Sequence, residues 1–290
     1  MRIVYHLGAH CTDEERLLRC LLKNRAALAT EGIHVPGPTR YRNLLRDTAV
    51  ALKGKIASID TQAMVLDQIM EQDHADRLIL SWDNFLSYPQ WALRGSIYPN
   101  AAERIRAFTQ IFPDIEAEFH LSIRNPATFL PDLFARQKAK PIEDFMEGVE
   151  PLRLRWSTMI AQIRALNPDV PLTIWCDEDT PLIWPDVLQA VSGHGPDIVL
   201  EDQDGLLATL MSPDGFARLN AYMADHPPAT AHRRKQIVAA FLDKFADRTK
   251  VEIDLEMPGW TDALVAEMTA IYEADVDQIQ RFAGLTFIAP

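Results

Sequence analysis

The chain has 290 residues and a formal net charge of -12, with 48% hydrophobic and 24% charged residues. These proportions are typical of a globular protein with a sizeable core, and they exclude a disordered or low-complexity chain. The acidic balance disfavours nonspecific nucleic-acid binding, which depends on Lys and Arg displacing counterions from phosphates. We therefore expect no nucleic-acid partner. An anionic ligand would need a local positive pocket, for which 40–46 and 232–235 are the candidate segments.

The sequence predicts a cytoplasmic protein without a membrane span. No segment approaches the roughly 18 apolar residues that a membrane helix requires, and the first residues are too polar for the apolar part of a signal peptide. Cys11, Cys20 and Cys176 have neither paired-ligand spacing nor an even count. This usage favours reduced thiols over a disulfide framework.

Apolar runs and helical patterns alternate along most of the chain. In chain order the sequence predicts a strand at 2–9, helices at 12–29 and 62–71, a strand at 77–81, a helix at 101–112, a strand at 117–124, helices at 127–138 and 153–166, a strand at 172–176 and a helix at 185–192. Strands separated by helices predict an α/β fold with a parallel sheet. We expect one domain over 1–290.

Beyond Gly205 the pattern is helical, with helices expected at 213–225, 231–245 and 261–282. The sequence therefore predicts a helical C-terminal region over about 206–290, packed on the sheet.

Polar residues follow each predicted strand, at the sheet edge where open parallel sheets bind ligands. They are His10, Cys11 and Thr12 after the first strand, Asp83 and Asn84 after the second, Arg124 and Asn125 after the third, and 177–179 after the fourth.

Two segments carry a family resemblance. The opening HLGAHCTDEERLLRCLLKNRAALATEGIHVPGP is similar to the strand, Gly-x-x-Lys-Thr-Gly-Thr-Thr loop, helix and Gly-Ile-x-x-Pro of bacterial sulfotransferases. LSIRNPATFLPDLFARQ resembles the family's Arg-x-Pro motif, which a serine follows several residues later. The resemblance implies a P-loop-type three-layer sandwich with a parallel sheet of four to five strands. It also implies transfer of a sulfuryl group from 3'-phosphoadenosine 5'-phosphosulfate (PAPS) to the hydroxyl or amine of a small molecule, glycan or lipid, without metal.

The departures fall where the family holds its donor. Cys11 stands in place of the loop lysine, and Asp132 in place of the serine. Asp13, Glu14 and Glu15 replace a glycine and two hydroxyl residues. The resemblance gives as candidate donor-binding residues Gly8, His10, Cys11, Thr12, Asp13, Glu14, Glu15, Arg124 and Asp132. PAPS is the cofactor only if this degenerate loop still works.

The sequence Thr12-Asp13-Glu14-Glu15 also has the pattern of a capping box. Thr12 is expected to cap the first helix and Glu15 to bond back, with the carboxylates compensating the helix dipole. Three carboxylates at that point are expected to repel a polyanionic donor.

Each candidate has a structural alternative. Arg124 either grips a phosphate or pairs with a carboxylate such as Asp132. Asp83 either acts as general base, with His10 as a second candidate catalytic residue, or caps a helix. Cys11 is expected to be inert, since neighbouring carboxylates raise the pKa of its thiol.

A metal site is not expected, although His6, His10, Cys11 and Asp13 are ligand types, because their spacing matches no established signature. The sequence favours a sulfotransferase-fold protein with a degenerate donor site, either a pseudoenzyme or a divergent transferase. The alternatives are an active PAPS-dependent sulfotransferase, and a metal-dependent or nucleotide-binding protein that uses the acidic strand ends.

Overall fold

The computed structural model describes residues 1–137, 141–146, 148–251 and 257–290. Within these ranges the strands are β1 (Arg2–His6), β2 (Ile33–His34), β3 (Arg77–Ser81), β4 (Leu93–Arg94), β5 (Ser96–Ile97), β6 (Glu116–Ile123), β7 (Leu172–Cys176) and β8 (Leu285–Ile288). Six of them form one parallel sheet in the order β2-β3-β1-β6-β7-β8. β4 and β5 form a small antiparallel pair.

The helices of the described residues complete the element order. They are α1 (Arg16–Lys23), α2 (Arg25–Ala29), α3 (Pro38–Leu52), α4 (Ile59–Ile69), α5 (Ala101–Thr109), α6 (Pro126–Ala135), α7 (Ile142–Met146), α8 (Trp156–Leu166), α9 (Thr180–Ser192), α10 (Gly205–Leu210), α11 (Pro213–Asp225), α12 (Ala231–Phe245), α13 (Arg248–Val251) and α14 (Asp262–Ile279). None of these helices is long and apolar enough to cross a membrane.

Alternation along the central strand β1 directs its side chains into two separate cores. Ile3 and Tyr5 lie in a core shared with α5, α6, α8 and α14. Val4 lies in a second core with Leu17 of α1 and Val187 of α9. Helices therefore cover both faces of the sheet. His6 follows Val4 by two residues, so it projects toward the α1 and α9 face at the carboxyl end of the strand.

The predicted parallel sheet is confirmed, but the expected count of four to five strands is wrong. β2 has only two residues, too few for a sequence pattern, and pairs with β3. β8 pairs with β7 and closes the other edge. Because β8 belongs to the sheet, the expectation of a helical region reaching residue 290 is also wrong.

Helix bounds differ most near the first strand. The single helix expected over 12–29 is two helices, and α1 begins only at Arg16. Residues 7–15 therefore form a loop, called here the β1–α1 loop. α3 was not predicted, although Tyr41, Leu45 and Ala49 form its buried stripe. The predicted bounds of 213–225 and 231–245 are those of α11 and α12.

Candidate functional site

The β1–α1 loop crosses the carboxyl ends of β1 and β6. Ala9 N–H donates to the Ser122 carbonyl at 3.0 Å, and Ser122 N–H donates to the Gly8 carbonyl at 2.6 Å. Gly8 has φ +87, and a Cβ there would lie 3.2 Å from the Cα and Cβ of Asp83. Glycine at this position therefore lets the loop pass directly over Asp83, the second residue beyond β3.

The predicted capping box is wrong. The hydroxyl of Thr12 donates to the Ala9 carbonyl at 2.8 Å, and Glu15, the N-cap residue of α1, makes no side-chain capping bond. The carboxylate of Asp13 instead accepts the backbone N–H of Leu17 at 3.0 Å. Thr12 lies too early to cap because the helix starts at Arg16.

Glu14 and Glu15 have left-handed backbone conformations, with φ 50 and 60. Each glutamate pairs with an arginine from another element. Glu15 Oε1 lies 2.7 Å from Nη1 of Arg42 on α3. Glu14 pairs with Arg136, just after α6. The expected repulsion by unopposed carboxylates therefore needs correction, since these two charges are compensated within the protein.

A pocket of about 340 Å³ lies between the β1–α1 loop, α3 and the end of β3. Its wall carries both signs of charge. The arginines are Arg19, Arg42 and Arg136, and the carboxylates are Asp13, Glu14, Glu15 and Asp83. Three cations against four anions give the lining a formal charge of about -1.

His6 lies at the base of this pocket. It lines the pocket but is only 2% exposed. Nδ1 lies 2.9 Å from Ser81 Oγ, and Nε2 has no hydrogen-bond partner among the described residues. Burial lowers the pKa of the imidazole. His6 is therefore a buried histidine whose hydrogen bonding within the described residues is incomplete.

His10 lies outside the lining of the pocket, fully buried, and connects to it through hydrogen bonds. Its backbone N–H donates to the Tyr98 hydroxyl at 3.0 Å, and Nδ1 lies 2.5 Å from the same oxygen. Nε2 lies 3.1 Å from Asn84 Oδ1, and Asn84 Nδ2 donates to Asp83 Oδ1 at 3.1 Å. A consistent assignment has Tyr98 donating to Nδ1 and Nε2–H donating to Asn84. Burial lowers the pKa of His10, which favours this neutral form.

Asp83 does not cap a helix, so that alternative is wrong. Residues 83–86 form turns and bends, and the next regular element is a short 3-10 turn at Pro89–Trp91. Asp83 Oδ2 faces Arg136 Nη1 at 3.7 Å. The carboxylate is thus held at the pocket wall by Asn84 and Arg136.

Arg124 is buried beside the loop, 8% exposed, and its guanidinium is occupied by the protein. Nη1 lies 2.6 Å from Asp132 Oδ2 and donates to the Cys11 carbonyl at 2.5 Å. Nε donates to Thr128 Oγ1 at 3.1 Å. Of the two alternatives for Arg124, the structure shows the pairing with Asp132, and Arg124 also contacts the loop at the Cys11 carbonyl.

Asp177 lies on the other side of Arg124, with Oδ2 at 4.0 Å from Nε. Burial raises the pKa of Asp177 to about 7, against the lowering effect of the Arg124 charge. Cys11 lines the pocket but is buried, and burial raises the pKa of its thiol to about 12. The cause of that rise is mainly burial rather than the neighbouring carboxylates that the sequence suggested.

The three cysteines are buried and unpaired. No group of three or more His, Cys, Asp or Glu side chains in the described ranges is arranged to hold a metal ion. Sequence reasoning included Arg42 in a candidate basic segment but missed Arg136, Ser81 and Tyr98. These residues reach the site from distant parts of the chain and no local pattern marks them.

No protein-family model matches this chain, and a search of curated proteins found no match.

Proposed function

We propose that the chain is a sulfotransferase-like protein with a P-loop-type arrangement whose donor loop no longer holds PAPS. It acts as a ligand-binding pseudoenzyme or as a transferase with altered chemistry. The observation that carries the proposal is the occupation of three of the arginines around the β1–α1 loop by carboxylates of the protein. Arg42, Arg124 and Arg136 are each bound by a carboxylate of the protein itself.

A phosphosulfate group at this loop would have to displace those carboxylates. Two unit charges 4 Å apart interact by about 1 kcal/mol in water and about 4 kcal/mol at an effective dielectric of 20. Because Arg42 and Arg136 compensate Glu15 and Glu14, the obstacle to a dianion is the loss of these ion pairs when it competes for the two arginines. Cys11 provides no compensating charge at the position where the family has its lysine.

Titration calorimetry with PAPS and its desulfated product tests the proposal. Wild-type protein is expected to show no saturable heat at micromolar ligand, the range of ordinary nucleotide affinities. The triple variant Cys11→Lys, Glu14→Gln, Glu15→Gln is expected to gain affinity, because it adds a cation and removes two anions. Gln retains the shape of Glu at the left-handed positions, where a β-branched residue would add strain. The triple variant Glu267→Gln, Glu273→Gln, Asp277→Asn, at three exposed positions of α14, changes the net charge by the same amount and is the matched control.

Micromolar PAPS binding by wild-type protein, lost in Arg124→Ala, would contradict the proposal. It would favour the second candidate, an active PAPS-dependent sulfotransferase. The specific observation for that candidate is the position of Asp83, whose carboxylate lines the pocket and can reach an acceptor hydroxyl as general base. Under that alternative, Asp83→Asn removes transfer to the acceptor while PAPS binding remains.

A further inference from the structure

We propose that the pocket between the β1–α1 loop and β3 binds a small neutral polyhydroxylated molecule, the size of one sugar ring, with one oxygen on His6 Nε2. The inference rests on the proposed function, because a donor phosphosulfate at the same loop would occupy this space.

His6 supplies the first argument. Its Nδ1 is hydrogen-bonded to Ser81 Oγ at 2.9 Å, and Ser81 Oγ has no other hydrogen-bond partner among the described residues. When the Ser81 hydroxyl donates to Nδ1, the hydroxyl hydrogen and Nδ1 both have a partner. The imidazole hydrogen is then on Nε2. A buried N–H donor without a partner is unfavourable and calls for an oxygen acceptor. His6 lines the pocket while Nε2 itself is buried, so the ring turns toward the pocket when a ligand supplies that oxygen.

The charges of the wall give the second argument. Two ion pairs, Glu15–Arg42 and Glu14–Arg136, place hydrogen-bond donors next to acceptors on the pocket wall. Asp83 adds carboxylate oxygens that Asn84 and Arg136 contact without filling every lone pair. The lining as a whole does not attract a dianion.

A hydroxyl group both donates and accepts, so neighbouring hydroxyls fit alternating guanidinium and carboxylate partners without breaking the ion pairs. A volume of about 340 Å³ lies at the lower end of the range for small-molecule sites and suits a ligand of one ring. The wall is charged rather than aromatic, which disfavours an apolar ligand.

The test uses the full chain with 15N-labelled histidine. D-glucose, myo-inositol, sulfate and phosphate are titrated separately while the Nε2 resonance of His6 is followed by NMR. At least one polyol is expected to shift that resonance saturably, with a dissociation constant in the millimolar range. Asp83→Asn and Arg42→Lys are each expected to weaken binding by about tenfold, because each removes hydrogen-bonding partners at the wall. Asp60→Asn and Arg106→Lys are the matched exposed controls and should leave the affinity unchanged.

Three outcomes overturn the inference: no polyol shift up to about 100 mM, tighter binding of sulfate or phosphate than of either polyol, or polyol binding that both wall variants leave intact. If neither the polyols nor PAPS bind, this inference is refuted while the proposed function stands. Wild-type PAPS binding refutes the proposed function instead, so the two failures are distinguishable.

Discussion

Removing the hydroxyl of Tyr98 tests the buried connection between His10 and the pocket. Tyr98 is 1% exposed, and its oxygen accepts the His10 backbone N–H while contacting Nδ1. Tyr98→Phe leaves the backbone N–H and Nδ1 of the fully buried His10 without the hydroxyl that both of them contact. Each unsatisfied buried group costs about 1–3 kcal/mol, and removal of the buried hydroxyl returns part of that. We expect the free energy of unfolding to fall by about 2–4 kcal/mol.

The ring itself should stay in place, because Tyr98 packs against Phe129 and Trp156 through its aromatic faces. The loss therefore reports the hydrogen bonds rather than a cavity. Urea unfolding followed by fluorescence measures it, with Tyr222→Phe as an exposed control expected within about 0.5 kcal/mol of wild type. A loss below about 1 kcal/mol for Tyr98→Phe, with an unchanged denaturant slope, would refute the assigned network.

Three further predictions concern other parts of the site and fold. Because the pKa of Asp177 rises from 3.8 to about 7 on folding, its effect on stability is most favourable below pH 3.8 and is lost as the pH rises through 7. At pH 8 the free energy of unfolding of Asp177→Asn should therefore exceed that of wild type by roughly 2–4 kcal/mol. This difference should narrow toward pH 5, and denaturant unfolding at both pH values measures it. The Cys11 thiol has a pKa of about 12, so in the folded protein it should react with a disulfide reagent at pH 8 at least about a hundredfold more slowly than a free thiol. In urea all three cysteines should react. Fast labelling of Cys11 in the folded protein would contradict its burial. Gly215→Ala should destabilise by about 1–3 kcal/mol despite the better helix propensity of alanine, because the new Cβ would lie 2.4 Å from Phe245 Cβ. Gly37→Ala, with nothing within 4 Å of its new Cβ, is the control, and equal thermal midpoints for the two variants would show that the contact relaxes at no cost.

The sequence alone predicted the features that depend on local pattern. The apolar runs at 77–81 and 172–176 are β3 and β7, and the bounds of α11 and α12 follow from their helical periodicity. The rule that parallel strands present their following residues at one edge also placed Arg124 beside the β1–α1 loop, where it contacts the Cys11 carbonyl. The pairing of Arg124 with Asp132 was one of two alternatives that the sequence offered, and the tendency of buried arginines to have carboxylate partners favoured it.

Tertiary structure decided which residues form the pocket and what charge they carry together. Thr12 to Glu15 read locally as a helix cap, yet Glu14 and Glu15 turn away from the helix and pair with Arg136 and Arg42. Those partners lie far away in sequence, on parts of the chain that only packing brings to the loop. β8 likewise became a strand because the β7 edge offered unpaired backbone groups. Local propensity acts over a few residues, whereas ion pairs and sheet edges depend on contacts between segments that no short pattern records.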